Sequence, residues 1–166
     1  MAQRPNYRLA EARALDLLSS ANVSVPPINP VFIAENYVNV RVKFATFDLA
    51  KSASISGFYD SEDDVIFVNR EEPPLRQTFT IAHEIGHKVL HEDWARSADY
   101  RVLLRDPREQ DQDFREKEAN AFAANLLMPR YLMNDYYDSL PVQELSRLFA
   151  VSVPAMRARL SFLYGI

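Results

Sequence analysis

The sequence contains no cysteine and only three glycines among its 166 residues. Without thiols there are neither disulfides nor thiolate metal sites, so any bound metal must be held by His, Asp or Glu. Ten prolines against three glycines exclude collagen-like and flexible-linker composition. No apolar run approaches the ~20 residues that a membrane helix needs, and residues 1–10 lack the apolar core of a signal peptide. We therefore expect a cytoplasmic protein that has no membrane partner.

A surplus of positive charge is also missing. The formal net charge is -4, so no overall basic field draws the chain to nucleic acid. Hydrophobic residues make up 48% of the sequence and charged residues 25%, which is enough apolar material for a folded core. The length predicts one domain, or one domain with a small appendage.

Hydrophobic periodicity and proline positions predict an α+β protein. Strict alternation predicts a strand at 38–44, and an unbroken apolar run predicts a strand buried on both faces at 65–69. A further strand is expected at 54–59, and residues 94–113 are expected to be irregular. Helices are predicted over 7–21, from Pro30 to about residue 37, and over 73–91, 114–128, 141–150 and 154–164.

The most informative segment is His83-Glu84-Ile85-Gly86-His87 on the predicted helix 73–91. Residues four apart lie ~40° apart around a helix, so both imidazoles can reach one ion. Two neutral imidazoles suit Zn²⁺, and Glu84, ~100° round, is placed to act as the general base on a water molecule. The alternative is a helix whose histidines are ordinary surface or core residues. All three histidines of the protein lie on this helix, which favours the metal site.

A catalytic zinc site requires a third protein ligand. His91 is the only other histidine of the sequence. His91 lies about 12 Å along the helix axis from His83, too far to share an ion with it, so we assign it a supporting role. The predicted helix 114–128 offers two carboxylates. Glu118 shares a face with small residues that would let the two helices approach, and Glu116 is its competitor. Periodicity alone puts Glu118 only slightly ahead of Glu116, and the alternative is that both are solvated charges.

With these motifs in order, the chain resembles the ImmA/IrrE-type metallopeptidases, gluzincin-like enzymes of bacteria and their mobile elements. The resemblance implies His83, His87 and Glu118 as zinc ligands and Glu84 as the catalytic base, with His91 outside the ligand set. It also implies one Zn²⁺ per chain, with Mn²⁺ or another divalent ion as the alternative. The segments that carry it are 30–34, 55–58, 65–69, 76–87, 118–124 and 127–129.

The resemblance further implies limited cleavage of a helix-turn-helix repressor in a stress response or mobile element. The predicted fold is then a zincin-like domain at 1–135, with a small mixed or antiparallel sheet packed on the HExxH helix. Its strand at 65–69 would pair with an extended substrate segment. The stretch 94–113 is longer than in compact members of the family.

Residues 136–166 are predicted to form a helical appendage that resembles a helix-turn-helix. Segment 141–166 carries a net charge of +2, and Arg157 and Arg159 are its candidate DNA contacts. Two arginines neutralise few phosphates, so a helix pair that packs on the peptidase or on a partner protein is favoured over DNA binding. The alternative function is a DNA- or protein-binding regulator, similar to an anti-repressor or antitoxin, whose metal site is structural or vestigial.

Overall fold

The computed structural model of the protein describes residues 3–47, 55–103 and 112–166. Helices precede and follow the three strands of a small sheet, as expected for an α+β chain. The helices are α1 (Tyr7–Ser20), α2 (Pro30–Ile33), α3 (Pro74–Leu90), α4 (Glu92–Ala95), α5 (Ala98–Leu103), α6 (Phe114–Leu127), α7 (Arg130–Met133), α8 (Val142–Phe149) and α9 (Val153–Tyr164). The strands are β1 (Arg41–Ala45), β2 (Gly57–Asp60) and β3 (Val65–Asn69). None of the helices in these ranges is long and apolar enough to cross a membrane.

The three strands form a mixed sheet in the order β1-β3-β2. The central strand, β3, runs parallel to β1 and antiparallel to β2. Val65, Ile66 and Val68 are buried, as its sequence predicted, while Phe67 is only partly buried. The expectation that β3 accepts a substrate strand is wrong, because its hydrogen-bonding edges on both sides are occupied by β1 and β2. In the described part of the sheet, β2 is the edge strand on the side of the metal-binding motif.

The strand predicted at 38–44 begins later than expected. A π-helical turn, Ala34–Val38, continues directly from α2, and Asn39 then turns the chain with a left-handed φ of 59°. Asparagine tolerates this conformation better than most residues do. The alternation of apolar and polar residues therefore starts inside the turn, and β1 begins only at Arg41.

The segment predicted to be irregular, 94–113, is largely helical where the structure describes it: the end of α4 and the whole of α5 account for most of its described residues. Residues 104–111 lie outside the described ranges, and so does residue 54 of the strand predicted at 54–59. The correction matters because α5 carries a buried tyrosine, Tyr100, into the region of the motif.

Helix α3 lies between the sheet and α6, packing against β2 and β3 on one side and against α6 on the other. The two helices approach closely at Gly86. A Cβ added there would lie 3.1 Å from Cδ1 of Phe122 and 3.2 Å from Cα of Ala119. Glycine costs ~1 kcal/mol in a helix interior, and here it is required by the neighbouring helix. This seam, the contact of α3 with α6 at Gly86, places the first two turns of α6 next to the histidines of α3.

Helices α8 and α9 pack on the rest of the protein through a continuous buried cluster. Five apolar residues of this segment are buried in that cluster: Leu145, Phe149, Val151, Met156 and Leu160. Arg159 is only 5% exposed; its Nε–H donates to the Met128 carbonyl at 2.9 Å and its Nη2–H to Asn125 Oδ1 at 2.7 Å. The expectation that Arg159 could contact DNA is therefore wrong. The domain boundary at residue 135 stays a prediction.

Candidate metal centre

The histidines of the motif converge on one point. His83 and His87 project from successive turns of α3, and their Nε2 atoms lie 3.1 Å apart. The imidazole of His87 is fully buried and that of His83 is partly exposed. Two ring nitrogens at this separation, one buried and one open to solvent, form the start of a metal site with an accessible side.

The Glu116 carboxylate completes a three-sided cluster. Its Oε2 lies 2.9 Å from Nε2 of His83, and its Oε1 lies 2.8 Å from Nε2 of His87. Glu116 stands in the first turn of α6, three and four residues before Ala119 and Asn120, so helical spacing puts all three on the side that faces α3. That spacing favours Glu116 only once the face of α6 that meets α3 is known, and the structure supplies that face.

Glu118 has different partners. Its Oε1 accepts the backbone N–H of Asn6 at 2.6 Å, and its Oε2 lies 2.6 Å from Nε2 of His91. The structure therefore brings Glu116, rather than Glu118, to the two converging Nε2 atoms. The assignment of Glu118 as a ligand, which came from the resemblance, stays a prediction, and these contacts favour Glu116.

The donor set fits a zinc ion. Nδ1 of His83 lies 2.8 Å from the amide oxygen of Asn120, which accepts a hydrogen bond and so keeps the proton on Nδ1. The Nε2 lone pair of His83 then points at the cluster. Two imidazoles and one carboxylate, with one position left open, are a recognised ligand set of catalytic zinc. Bonds of about 2.0–2.1 Å to a tetrahedral ion put ligand atoms about 3.3 Å apart, close to the separations of the three groups here.

The charges in the cluster favour one bound cation. Burial lowers the pKa of His87 to about 4. Burial also lowers the pKa of His83, but the hydrogen bond and charge of Glu116 outweigh it and raise that pKa to about 9. Burial opposes ionisation of Glu116, yet hydrogen bonds from the two histidines hold its pKa well below the usual range. Glu116 therefore stays ionised beside a position that a proton or a metal ion can fill.

Glu84 lies beside the cluster in a dry environment. It is 4% exposed, and ligand atoms of His83, Glu84 and His87 all lie within 4.8 Å of one another. Burial raises the pKa of Glu84 to about 7, the range in which a general base is most effective at neutral pH. This environment suits the role that its helical position predicted.

Tyr100 is the site residue that the sequence did not indicate, since it lies in a stretch predicted to be irregular. Its hydroxyl donates to Oε2 of Glu84 at 3.0 Å and accepts the backbone N–H of Tyr59 at 2.8 Å. It therefore connects the candidate base to the edge strand β2. Its ring also packs against His87, with centroids 5.7 Å apart.

An HExxH helix that faces a carboxylate from a second helix, beside a small sheet, defines the class of zincin-like metallopeptidases. Comparison with known proteins gives the family. The chain belongs to the M78 peptidases, whose family model, described as the IrrE N-terminal-like domain, matches residues 35–161.

Two relatives are radiation response metalloproteases IrrE. The protein of Deinococcus deserti is 32% identical over 128 residues, covering 76% of this chain and 42% of the relative. The protein of Deinococcus radiodurans is 31% identical over 120 residues, covering 72% and 34%. The chain thus spans less than half the length of these two relatives.

A third relative, an uncharacterized immunity region protein 2 of Bacillus phage phi105, is 29% identical over 135 residues, which is 80% of this chain and 77% of that protein. Among solved structures, a Mycobacterium tuberculosis transcriptional regulator matches with a TM-score of 0.67 and 18% identity. The match covers 93% of this chain and 46% of that one. At this identity the likeness supports the fold alone.

Proposed function

We propose that the protein is a zinc-dependent endopeptidase that makes limited, site-specific cuts in a protein substrate. The observation that carries the proposal is the convergence of two Nε2 atoms and one carboxylate beside a buried glutamate. His83, His87 and Glu116 would hold the ion, and Glu84 would be the base. A structural site has no need of a buried carboxylate whose pKa is raised to about 7 next to its ligands.

When bound, Zn²⁺ would polarise the scissile carbonyl and make a water molecule acidic enough to lose its proton near neutral pH. Glu84 takes that proton and delivers it to the leaving amine nitrogen. The Tyr100 hydroxyl orients the Glu84 carboxylate through its hydrogen bond, while the aromatic rings of Tyr100 and Trp94 cover His87 and exclude water from it.

Strand β2 is the element that would bind an extended substrate segment. Its Tyr59 N–H points away from β3 and is held by the Tyr100 hydroxyl, which also contacts Glu84. Backbone pairing on this edge would bring a peptide alongside the candidate base. A substrate carbonyl that accepts the Tyr59 N–H would have to displace the Tyr100 hydroxyl from it.

We propose a helix-turn-helix transcriptional repressor as the substrate, cut during a stress response or the induction of a mobile element. Two relatives named radiation response metalloproteases and one named an immunity region protein support this choice. The competing function, a DNA-binding regulator, loses one of its two candidate arginines, because Arg159 is buried against α6. A regulator that binds a protein without cutting it remains the alternative that the experiment below separates.

The test is a substrate trap in the native host. Tagged Glu84→Gln protein should retain a repressor that the wild-type protein cleaves and that a chelator protects, because the metal-binding groups remain while the base is lost. A Glu84→Gln, Glu116→Gln double variant is the matched control and should retain less of it. Capture of a partner that purified, zinc-loaded wild-type protein leaves intact would contradict the peptidase function and favour regulation by binding.

A further inference from the structure

A chain of hydrogen bonds leads from the N-terminus of α1 to Nδ1 of His87, the ring nitrogen on the side away from the metal cluster. The backbone N–H of Asn6, the N-cap residue of α1, donates to Glu118 Oε1 at 2.6 Å. Glu118 Oε2 lies 2.6 Å from Nε2 of His91, and Nδ1 of His91 lies 3.1 Å from Nδ1 of His87. The opposite nitrogen of His87, Nε2, faces Glu116.

When an ion takes the place of a proton between Nε2 of His87 and Glu116, the donors and acceptors in this chain can be arranged in one consistent way. A carboxylate only accepts hydrogen bonds, so Nε2 of His91 must carry the proton that points at Glu118. The Nδ1 of a neutral His91 is then a bare acceptor. Because the two Nδ1 atoms face each other, the proton between them belongs to His87. That leaves the Nε2 lone pair of His87 free, and Nε2 is the atom that converges with His83 and Glu116.

The surroundings hold this arrangement in place. His87 is fully buried and the side chain of His91 is only 7% exposed, so water has little access to either ring. The Trp94 ring packs on both imidazoles, at centroid distances of 5.3 Å and 6.1 Å. His83 has its own equivalent, the Asn120 amide oxygen. Both candidate histidine ligands are therefore oriented by a partner at Nδ1, the nitrogen opposite the metal-facing Nε2, and the partner differs between them.

We propose that Glu118 and His91 are positioning residues that fix the Nδ1–H tautomer and the ring orientation of His87, and that neither is a metal ligand. The proposal rests on the proposed function, since it takes His87 as a ligand. It assigns the two acidic residues of α6 different tasks: Glu116 binds the ion directly, and Glu118 acts on it through two imidazoles.

The first measurement is of the tautomer, on metal-free Glu116→Gln protein labelled with ¹⁵N-histidine. This background is needed because, without an ion, the Glu116 carboxylate would itself draw a proton to Nε2 of His87. Long-range ¹H–¹⁵N spectra distinguish a protonated ring nitrogen from a bare one. We expect His87 to be protonated at Nδ1 in this background. When His91→Phe, which keeps a ring but removes the acceptor, is added, the tautomers of His87 should become mixed. His91→Asn restores an acceptor near the position of Nδ1 and should restore the Nδ1–H signal.

The second measurement is zinc affinity, by competition with a chromophoric chelator. Loss of an outer hydrogen-bond partner of a metal ligand typically costs about 10–100-fold in affinity, and we expect that loss for His91→Phe and Glu118→Gln. His91→Asn should recover most of it. Circular dichroism confirms folding, and Glu118→Gln carries the test if His91→Phe does not fold.

The outcomes separate the two proposals. If Glu116→Gln loses zinc while the His91 and Glu118 variants keep their zinc affinity and His87 keeps its Nδ1–H tautomer without His91, the positioning role is wrong and the peptidase function stands. If Glu118→Gln abolishes zinc binding and Glu116→Gln keeps it, Glu118 is a ligand and the positioning role is again wrong. Persistent turnover by Glu84→Gln would instead contradict the proposed function, whatever the tautomer.

Discussion

The two ends of helix α6 both gather hydrogen-bond acceptors, and they differ in where the cation comes from. At its N-terminal end, Glu116 faces two imidazole nitrogens that need an ion or a proton between them. At its C-terminal end, Asn125 Oδ1 and the Met128 carbonyl accept from Arg159, a cation that the chain itself supplies. At the Glu116 end the cation must come from solution, whereas at the other end Arg159 of the same chain supplies it. The difference separates a site built for binding from a contact built for stability.

The largest expected effect comes from removing the acceptor at the N-terminal end. Glu116→Gln keeps the size of the side chain but replaces the anionic oxygens that face both Nε2 atoms. Loss of an outer hydrogen-bond partner of a ligand lowers metal affinity about 10–100-fold. Because Glu116 would bind the ion directly, its loss should lower zinc affinity by more than that. Chelator competition measures the affinity. Bound zinc that survives at wild-type affinity would mean that the third ligand lies elsewhere, and Glu118 would be the next candidate.

Removing the cation at the other end should affect stability and leave metal binding unchanged. Arg159→Met keeps the apolar stem but leaves two buried acceptors without their donor, and each unsatisfied group costs about 1–3 kcal/mol. We expect a loss of about 2–4 kcal/mol in the free energy of unfolding, measured by urea denaturation. Exposed Arg157→Met is the control and should stay within about 0.5 kcal/mol of the wild type. Zinc binding that collapsed along with stability would mean that the two ends are coupled.

The sequence predicted the parts of this comparison that depend on local pattern. The apolar run of β3 and the periodicity of α3 and α6 identified those elements, because each buries a face that a strand or helix repeat marks. The pairing of carboxylates with histidines could not be derived in this way. Glu116 and Glu118 both border the buried face of α6, and only the helix crossing at Gly86 decides which of them meets Nε2.

The failures have the same origin. Tyr100 reaches Glu84 from a segment whose sequence carries no periodic signal. Arg159 looks like a surface cation in sequence, and its burial depends on acceptors that α6 presents more than thirty residues earlier. The π-helical turn displaced the start of β1 because Asn39 allows a left-handed turn that alternation does not reveal. Long-range partners, rather than local propensity, decide each case.

A smaller effect is expected at the seam itself, with Gly86→Ala. The added Cβ would meet Phe122 and Ala119 at 3.1–3.2 Å, so the two helices must move apart slightly. Overpacking costs about 1–3 kcal/mol, and a gain of about 1 kcal/mol in helix propensity partly offsets it. Thermal and urea denaturation should therefore show a modest loss in the free energy of unfolding. Zinc affinity should fall as well, because Glu116 moves with α6. Unchanged affinity in a destabilised protein would show that the Glu116 position does not depend on this seam.

The smallest expected effect concerns the base rather than the ion. Tyr100→Phe keeps the ring that packs on His87 and removes only the hydroxyl that donates to Glu84. That hydrogen bond lowers the pKa of Glu84, which burial raises to about 7, so its loss should raise the pKa further. A general base acts only when ionised, and kcat/KM falls as the pH drops below its pKa. The acidic limb of the pH profile should therefore move to higher pH.

Titration of the Glu84 carboxyl by ¹³C NMR measures the same shift without any substrate, so the prediction can be tested apart from turnover. Tyr59→Phe is the matched control, because it removes a hydroxyl that bonds Asp64 instead of Glu84. Its profile should coincide with that of the wild type. A Tyr100→Phe variant whose carboxyl titrates as in the wild type would mean that Tyr100 contributes only packing. The position of Glu84 would then depend only on its buried place on α3. The link through Tyr100 to β2, the edge strand that we propose binds the substrate, would not contribute to it.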